Sequence, residues 1–182
     1  MDAIENKGYK RVIAIMPRRT GKDIVAFNLC IRQCIRKVCV VYYIFPTFAQ
    51  AKRVIWDSLT NSGDRFLDYI PKELIESTNS QEMKIRFING SLLQLVGSDN
   101  FDALMGTNPA AVVFSEYALQ DPRAYQFIRP ILTANAGWAL FITTPSWQES
   151  RLRALSDSTE QRELVCYEAD PGRHPTHTAL GD

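Results

Sequence analysis

The stretch I-A-I-M-P-R-R-T-G-K-D-I-V-A-F-N, residues 13 to 28, decides the fold. It reads as a buried strand, a tight loop ending in Gly21-Lys22, and the start of a helix. That order is the shape of a phosphate-binding loop. The usual pattern G-x-x-x-x-G-K-[ST] fails at both ends: Met16 stands at the first glycine and Asp23 at the hydroxyl.

The flanking sequence supports the strand–loop–helix reading. Arg11 to Met16 is a short apolar strand. From Asp23 to Lys37 the apolar residues Ile24, Phe27, Cys30, Ile31 and Cys34 recur at helical spacing. Val38 to Phe45 is almost wholly apolar, as in a strand buried on both faces. Pro46-Thr47 stops it, and Thr47 is placed to cap a following helix that carries Ala51, Val54, Ile55 and Leu59. This is a βαβ unit, and it implies a parallel sheet. Beyond a polar stretch from 60 to 82, broken by a short apolar piece at Phe66 to Ile75, Met83 to Val96 reads as a β-hairpin around Asn89-Gly90. Residues 97 to 109 form a loop with a helical turn at Phe101 to Met105. Ala111 to Phe114 is a third buried strand. Asp121-Pro122 opens a helix, and Trp138 to Ile142 is a fourth strand, ended by Thr143-Thr144-Pro145.

The 182 residues suffice for one domain with a sizeable core, and 46% hydrophobic against 23% charged residues marks a globular chain. A net charge of +1 gives no global field toward nucleic acid or membrane. No apolar run is long enough to span a bilayer, and residues 1 to 10 do not read as a signal peptide. The cysteines, Cys30, Cys34, Cys39 and Cys166, have no second ligand cluster and read as reduced packing thiols of a cytoplasmic protein.

Three strands end in polar signals: the loop M-P-R-R-T-G-K-D, then Ser115-Glu116, then Thr143-Thr144-Pro145. In a parallel sheet these carboxyl ends lie along one edge, where ligands bind. Nucleotide hydrolysis needs backbone N–H groups and a lysine on the β/γ phosphates, a hydroxyl and a carboxylate for Mg²⁺, and a second carboxylate to polarise water. Lys22 is the natural phosphate lysine, Gly21 permits close backbone approach, and the helix starting near Asp23 aims its positive end at the phosphates. Glu116 stands where a water-activating glutamate belongs. Arg18 and Arg19 are placed to stabilise charge on the γ-phosphate, against the plainer reading of solvated loop charges. Asp23 and Ser115 look like an exchange of carboxylate and hydroxyl between two elements, with Asp23 holding Mg²⁺ and Ser115 supporting it through a water.

These motifs, in this order, resemble the ATPase half of the large terminase subunit of tailed bacteriophages, over roughly residues 4 to 145. The resemblance rests on M-P-R-R-T-G-K-D, Y-Y-I-F-P-T-F-A-Q-A-K, N-G-S-L-L-Q-L-V-G-S-D-N, M-G-T-N-P, V-V-F-S-E-Y-A-L-Q-D-P and F-I-T-T-P. It implies an α/β P-loop NTPase of the RecA/ASCE type, a mostly parallel central sheet flanked by helices with a β-hairpin insertion. It implies ATP and Mg²⁺ as cofactors, and ATP hydrolysis that drives viral DNA into the prohead. The implied partners are double-stranded DNA, the portal protein, the small terminase subunit and further copies in a ring on the prohead, in the cytoplasm of a bacterial host with no membrane. Pro17, Arg18, Arg19, Thr20, Gly21, Lys22 and Asp23 then resemble the Walker A loop, with one of the two arginines catalytic. Ser115-Glu116 resembles the Walker B end, with Glu116 the catalytic carboxylate, and Thr143, Thr144 and Pro145 resemble the coupling motif. Met105 departs from the pattern, because many terminases carry arginine there. The alternatives are an inactive prophage remnant that binds nucleotide at most, and a helicase-type P-loop ATPase.

By this reading residues 1–145 are an ATPase domain incomplete at both ends, with no adenine-holding segment before it and no nuclease domain after it. Residues 146–182 are an irregular tail. Where the family often continues T-P-R-G-K-N-H, this chain continues T-P-S-W-Q-E-S-R. Codons exist for Ser146 to Arg151 that, read one nucleotide later, give Arg-Gly-Lys-Asn-His, and the Trp147 codon forces the glycine. The expectation is a frameshift at about Ser146 and a tail that packs poorly, with no chemistry at Cys166, His174 or His177. The alternative is a divergent native tail.

Overall fold

The computed structural model describes residues 2–60, 63–104, 106–145, 164–168 and 176–179. Its centre is one nine-stranded sheet in the order β3-β4-β5-β2-β6-β7-β1-β8-β9. The elements in chain order are α1 (Asp2–Glu5), β1 (Arg11–Ile15), α2 (Lys22–Arg36), β2 (Val40–Phe45), α3 (Phe48–Ala51), β3 (Ile75–Asn79), β4 (Lys84–Phe87), β5 (Leu92–Gly97), β6 (Pro109–Ser115), α4 (Pro122–Ala134), β7 (Trp138–Thr143), β8 (Leu164–Glu168) and β9 (Thr176–Ala179). Strands β5, β2, β6, β7, β1 and β8 run parallel, and β3 and β4 form an antiparallel meander on the β5 edge.

The parallel strands are near-continuous apolar runs because both faces of the sheet are covered. Along β2, Val41, Tyr43 and Phe45 join the core that packs with α2, while Tyr42 and Ile44 join the core that packs with α4. β6 and β7 alternate likewise: Ala111 and Val113 face α2's side and Val112 and Phe114 the other, as do Leu140 and Phe141 in turn. Phe27, Cys30, Ile31 and Cys34 form the buried stripe of α2. Caps follow local chemistry. Thr47 Oγ1 accepts from the Gln50 N–H, and the Asp121 carboxylate accepts from the Arg123 N–H ahead of Pro122.

Four details differ from the sequence expectations. The helix begun at Thr47 is α-helical only to Ala51; Lys52–Trp56 is a π-helical turn, and Leu59 lies beyond it, exposed. The hairpin loop holds three residues, not two. The Gly90 N–H bonds the Phe87 carbonyl and the Phe87 N–H bonds the Ser91 carbonyl, with Gly90 in the left-handed region at φ 90°. β3 is an edge strand whose I-E-S-T-N lacks an apolar face, since four of its five residues are exposed. Beyond Pro145, expected to be irregular, β8 pairs parallel with β1 over Arg11↔Leu164 to Ile15↔Glu168, and β9 pairs antiparallel with β8. L-V-C-Y-E is a short apolar run of strand type. The expected frameshift point at Ser146, His174 and the Met105 departure lie outside the described residues, and the side chains of Cys166 and His177 are not described.

Candidate nucleotide site

The order of strands determines who meets whom. β7 lies between β1 and β6, so the end of β7 stands between the ends of the other two. The Lys22 side chain crosses that gap: its Nζ is 2.7 Å from Glu116 Oε1 and donates to Thr144 Oγ1 at 2.6 Å. Thr144 Oγ1 in turn donates to the Glu116 carboxylate at 3.2 and 3.3 Å. Lysine, glutamate and threonine, from three elements, thus close one polar triangle. Lys22 is 6% exposed and Glu116 24%, so the ion pair is largely out of water.

Backbone conformation aims these groups. Gly21 caps α2 in the left-handed region at φ 77°, where a side chain would be strained, and the first N–H groups of α2 follow it. Thr20 Oγ1 donates to the Pro17 carbonyl at 2.8 Å and pins the loop; Arg19 before it is also left-handed, at φ 63°. Glu116 itself is left-handed, at φ 53° and ψ 45°, an unfavourable state for a glutamate. What holds it there is Gln120. Its buried Nε2 donates to the Ile44 carbonyl at 2.8 Å and the Ser115 carbonyl at 2.7 Å, clamping the ends of β2 and β6. Replacing it, as Gln120→Leu, leaves two buried carbonyls without that donor. We expect a loss of about 1–3 kcal/mol in stability by chemical denaturation.

Asp23 stands apart from the triangle. Its Oδ1 accepts from Ser115 Oγ at 2.7 Å and from Tyr43 Oη at 2.9 Å. The sequence suggests that Asp23 holds Mg²⁺ and that Ser115 supports the ion through a water; the structure brings the two side chains into direct contact. Tyr43 escaped sequence reasoning altogether. Burial, and then the neighbouring Asp23 charge, raise its phenol well above the usual range, so it stays a donor. The only signal was that a tyrosine in a fully buried strand needs a partner for its hydroxyl.

A cavity of about 530 Å³ opens on this edge. Arg18, Arg19, Gly21, Lys22, Asp23 and Glu116 line its polar side, and Ile24, Val54, Leu59 and Phe66 its apolar side. Arg18 and Arg19 are exposed and make no hydrogen bond or ion pair with the described residues. Thr143 is buried in the sheet, where its carbonyl accepts from the Met16 N–H, and Pro145 is exposed. The cavity therefore combines backbone donors at a helix N-terminus, two free guanidinium groups, one ammonium and two carboxylates.

The donor set fits Mg²⁺. Asp23 Oδ1 is held by two hydroxyls, while Oδ2 meets no donor among the described residues and Asp23 lines the cavity. No cluster of three or more His, Cys, Asp or Glu able to cage a metal exists among the described residues. One carboxylate plus substrate oxygens is the way Mg²⁺ is commonly bound.

Sheet order and loop geometry together define a P-loop fold. No protein-family model matches the chain. By sequence the chain is similar to the large terminase subunit of Escherichia phage T5, with 26% identity over 148 residues. That match covers 80% of this chain and 32% of the T5 protein, so the chain spans about a third of its relative. By fold it is similar to the large terminase ATPase domain of Thermus phage P74-26, with a TM-score of 0.63 and 22% identity over 81% of this chain and 66% of that one. It is also similar to the large terminase of a second, thermophilic bacteriophage solved with ATP-γ-S, with a TM-score of 0.69 and 13% identity over 91% and 42% of the two chains. The resemblance read from the motifs and the likeness of sequence and fold converge on the ATPase domain of phage large terminases.

Proposed function

We propose that this chain is the ATPase domain of a phage DNA-packaging motor, and that it hydrolyses ATP in the cavity at the strand ends. The observation that carries this reading is the triangle of Lys22, Glu116 and Thr144 beside the phosphate-type loop. Lys22 there is bound to the group that must otherwise be free to activate water. Incoming phosphates offer Lys22 more negative charge than one carboxylate does, so Lys22 transfers to the β/γ oxygens. Glu116 is thereby released to orient a water and accept its proton as the oxygen attacks the γ-phosphorus and the β–γ bridging bond breaks. Thr144 loses one partner in the same exchange, which makes it the natural relay from hydrolysis to the next element. Arg18 and Arg19 counter charge on the transferred phosphoryl group. Bound Mg²⁺, held at Asp23, would neutralise the β and γ oxygens.

The packaging role rests on the likeness to the T5 protein and to the terminase ATPase domains. With it come double-stranded DNA as the moved substrate, the portal and small subunit as partners, and a ring of copies on the prohead. No helix among the described residues is long and apolar enough to cross a membrane. The direct test of the enzymatic reading is phosphate release from ATP by the purified chain. We expect turnover that requires Mg²⁺ and stops with EDTA. Turnover that ignores the metal, or its complete absence at saturating ATP, contradicts the reading.

The proposed exchange of carboxylate and hydroxyl between α2 and β6 has its own test. Asp23→Thr alone should weaken Mg²⁺-dependent ATP binding, and adding Ser115→Asp should restore it. Because the two side chains touch, the double-mutant cycle should show coupling on the order of 0.5–3 kcal/mol. Additive losses in titration calorimetry would remove the idea.

A further inference from the structure

A cavity of about 690 Å³ runs along α4, on the sheet face opposite α2. Tyr125, Gln126, Arg129, Pro130, Thr133 and Ala134 line it, and none of them lines the nucleotide cavity. Two of these residues hold Arg11, the first residue of β1, which is only 2% exposed. The Arg11 guanidinium donates from Nε to Tyr125 Oη at 3.0 Å and from Nη2 to Thr133 Oγ1 at 3.4 Å. Its Nη1 donates to the Lys10 and Gly137 carbonyls at 2.7 and 3.1 Å. All these acceptors are neutral, and no carboxylate among the described residues pairs with Arg11. A buried cation surrounded only by dipoles is unfavourable, so an anion brought near it is attracted.

Three further groups at the cavity lack partners. The Tyr125 ring is fixed by edge contacts with Phe114 and Phe141, at centroid distances of 5.8 and 4.9 Å. Tyr125 is 3% exposed, and its hydroxyl accepts from Arg11 but donates to no acceptor among the described residues. Arg129 is half-buried, and its guanidinium makes no hydrogen bond or ion pair with them. Pro130, inside α4, has no N–H to return to the Gln126 carbonyl, which leaves that carbonyl without its helical donor.

We propose that this cavity is a docking site for an acidic segment of a partner protein, with a glutamate carboxylate seated between the Arg129 guanidinium and the Tyr125 hydroxyl. The inference is independent of the nucleotide site. Charge complementarity carries it: one open cation, one open O–H donor and a buried cation behind them suit a single carboxylate. The remaining lining suits a polypeptide. The Gln126 carbonyl can take a peptide N–H, and Pro130 and Ala134 can take the methylenes of a glutamate. Duplex DNA fits less well, because its affinity comes from several phosphates neutralised together. The other arginine of α4 outside the cavity, Arg123, is already engaged by Asp121.

The test titrates a capped oligoglutamate peptide into the isotope-labelled chain and follows the arginine Nε–H resonances by NMR. Duplex DNA and inorganic phosphate are titrated in parallel. We expect saturable shifts at both Arg129 and Arg11. Arg11 moves because its Nε–H is bonded to the hydroxyl that receives the carboxylate, a change that loose surface association would not produce. Arg129→Gln should weaken the peptide about tenfold, and Arg18→Gln should leave it unchanged at these resonances. Absence of shifts at Arg129 and Arg11, or equal affinity in Arg129→Gln, would overturn the proposal. So would duplex DNA binding there more tightly than the peptide, or phosphate binding as tightly, which would mark an adventitious ion only. The wild-type titrations decide this even if a variant fails to fold.

Discussion

Glu116→Gln should lower ATP turnover by about 10²–10⁴-fold while leaving nucleotide affinity within a few-fold of wild type. The amide keeps the shape and the contact with Thr144 but cannot accept the proton of the attacking water. It also ends the ion pair with Lys22, which stands at 2.7 Å. Lys22 then has no carboxylate to leave when phosphate arrives, so binding should hold or tighten. Phosphate-release kinetics and calorimetry, run on the same preparation, separate the two effects. Equal loss of affinity and turnover would mean that Glu116 shapes the site rather than serving as its base.

Lys22→Met has the opposite signature and a second consequence. Nucleotide affinity should fall by at least tenfold, since a charge-assisted hydrogen bond to phosphate contributes about 1.5–3 kcal/mol. The methionine follows the aliphatic course of the lysine but leaves Glu116, three-quarters buried, without its cation. Breaking one side of a buried pair costs about 3–5 kcal/mol. Glu116 is near the rim of the cavity and water relieves part of that, so about 1–3 kcal/mol is the expected loss of stability. The double variant Lys22→Met/Glu116→Gln should recover part of this loss but none of the affinity. Chemical denaturation of the four proteins tests the first statement and calorimetry the second. A Lys22→Met chain as stable as wild type would indicate that the pair contributes nothing to the resting fold.

The parts of this site that were legible in sequence share a cause. Lys22, Glu116 and Thr144 each stand just past an apolar run, and a parallel sheet gathers such positions along one edge. That β7 runs between β1 and β6, and so inserts Thr144 between the other two, is topology that no local pattern carries. Tyr43 and Gln120 were missed because their roles are tertiary. Tyr43 meets Asp23 across 20 residues of chain and Gln120 meets Ile44 across 76. The left-handed Glu116 was missed for the same reason: its conformation is imposed by the Gln120 clamp, not by its own preference. In the fold, the strands buried on both faces were plain from their apolar runs. β3, exposed at four of its five residues, offered no pattern to read.

The account turns on one event, the transfer of Lys22 from Glu116 to phosphate. The measurement that addresses it most directly is a crystal structure of this chain with Mg²⁺ and ATP-γ-S. The account predicts the nucleotide's phosphates at the loop Pro17 to Asp23, with Lys22 Nζ hydrogen-bonded to phosphate oxygens. Glu116 should then lie beyond ion-pair reach of Lys22 and face a water in line with the γ-phosphorus. A bound nucleotide with the Lys22–Glu116 pair intact, or with its phosphates elsewhere on the chain, would contradict it.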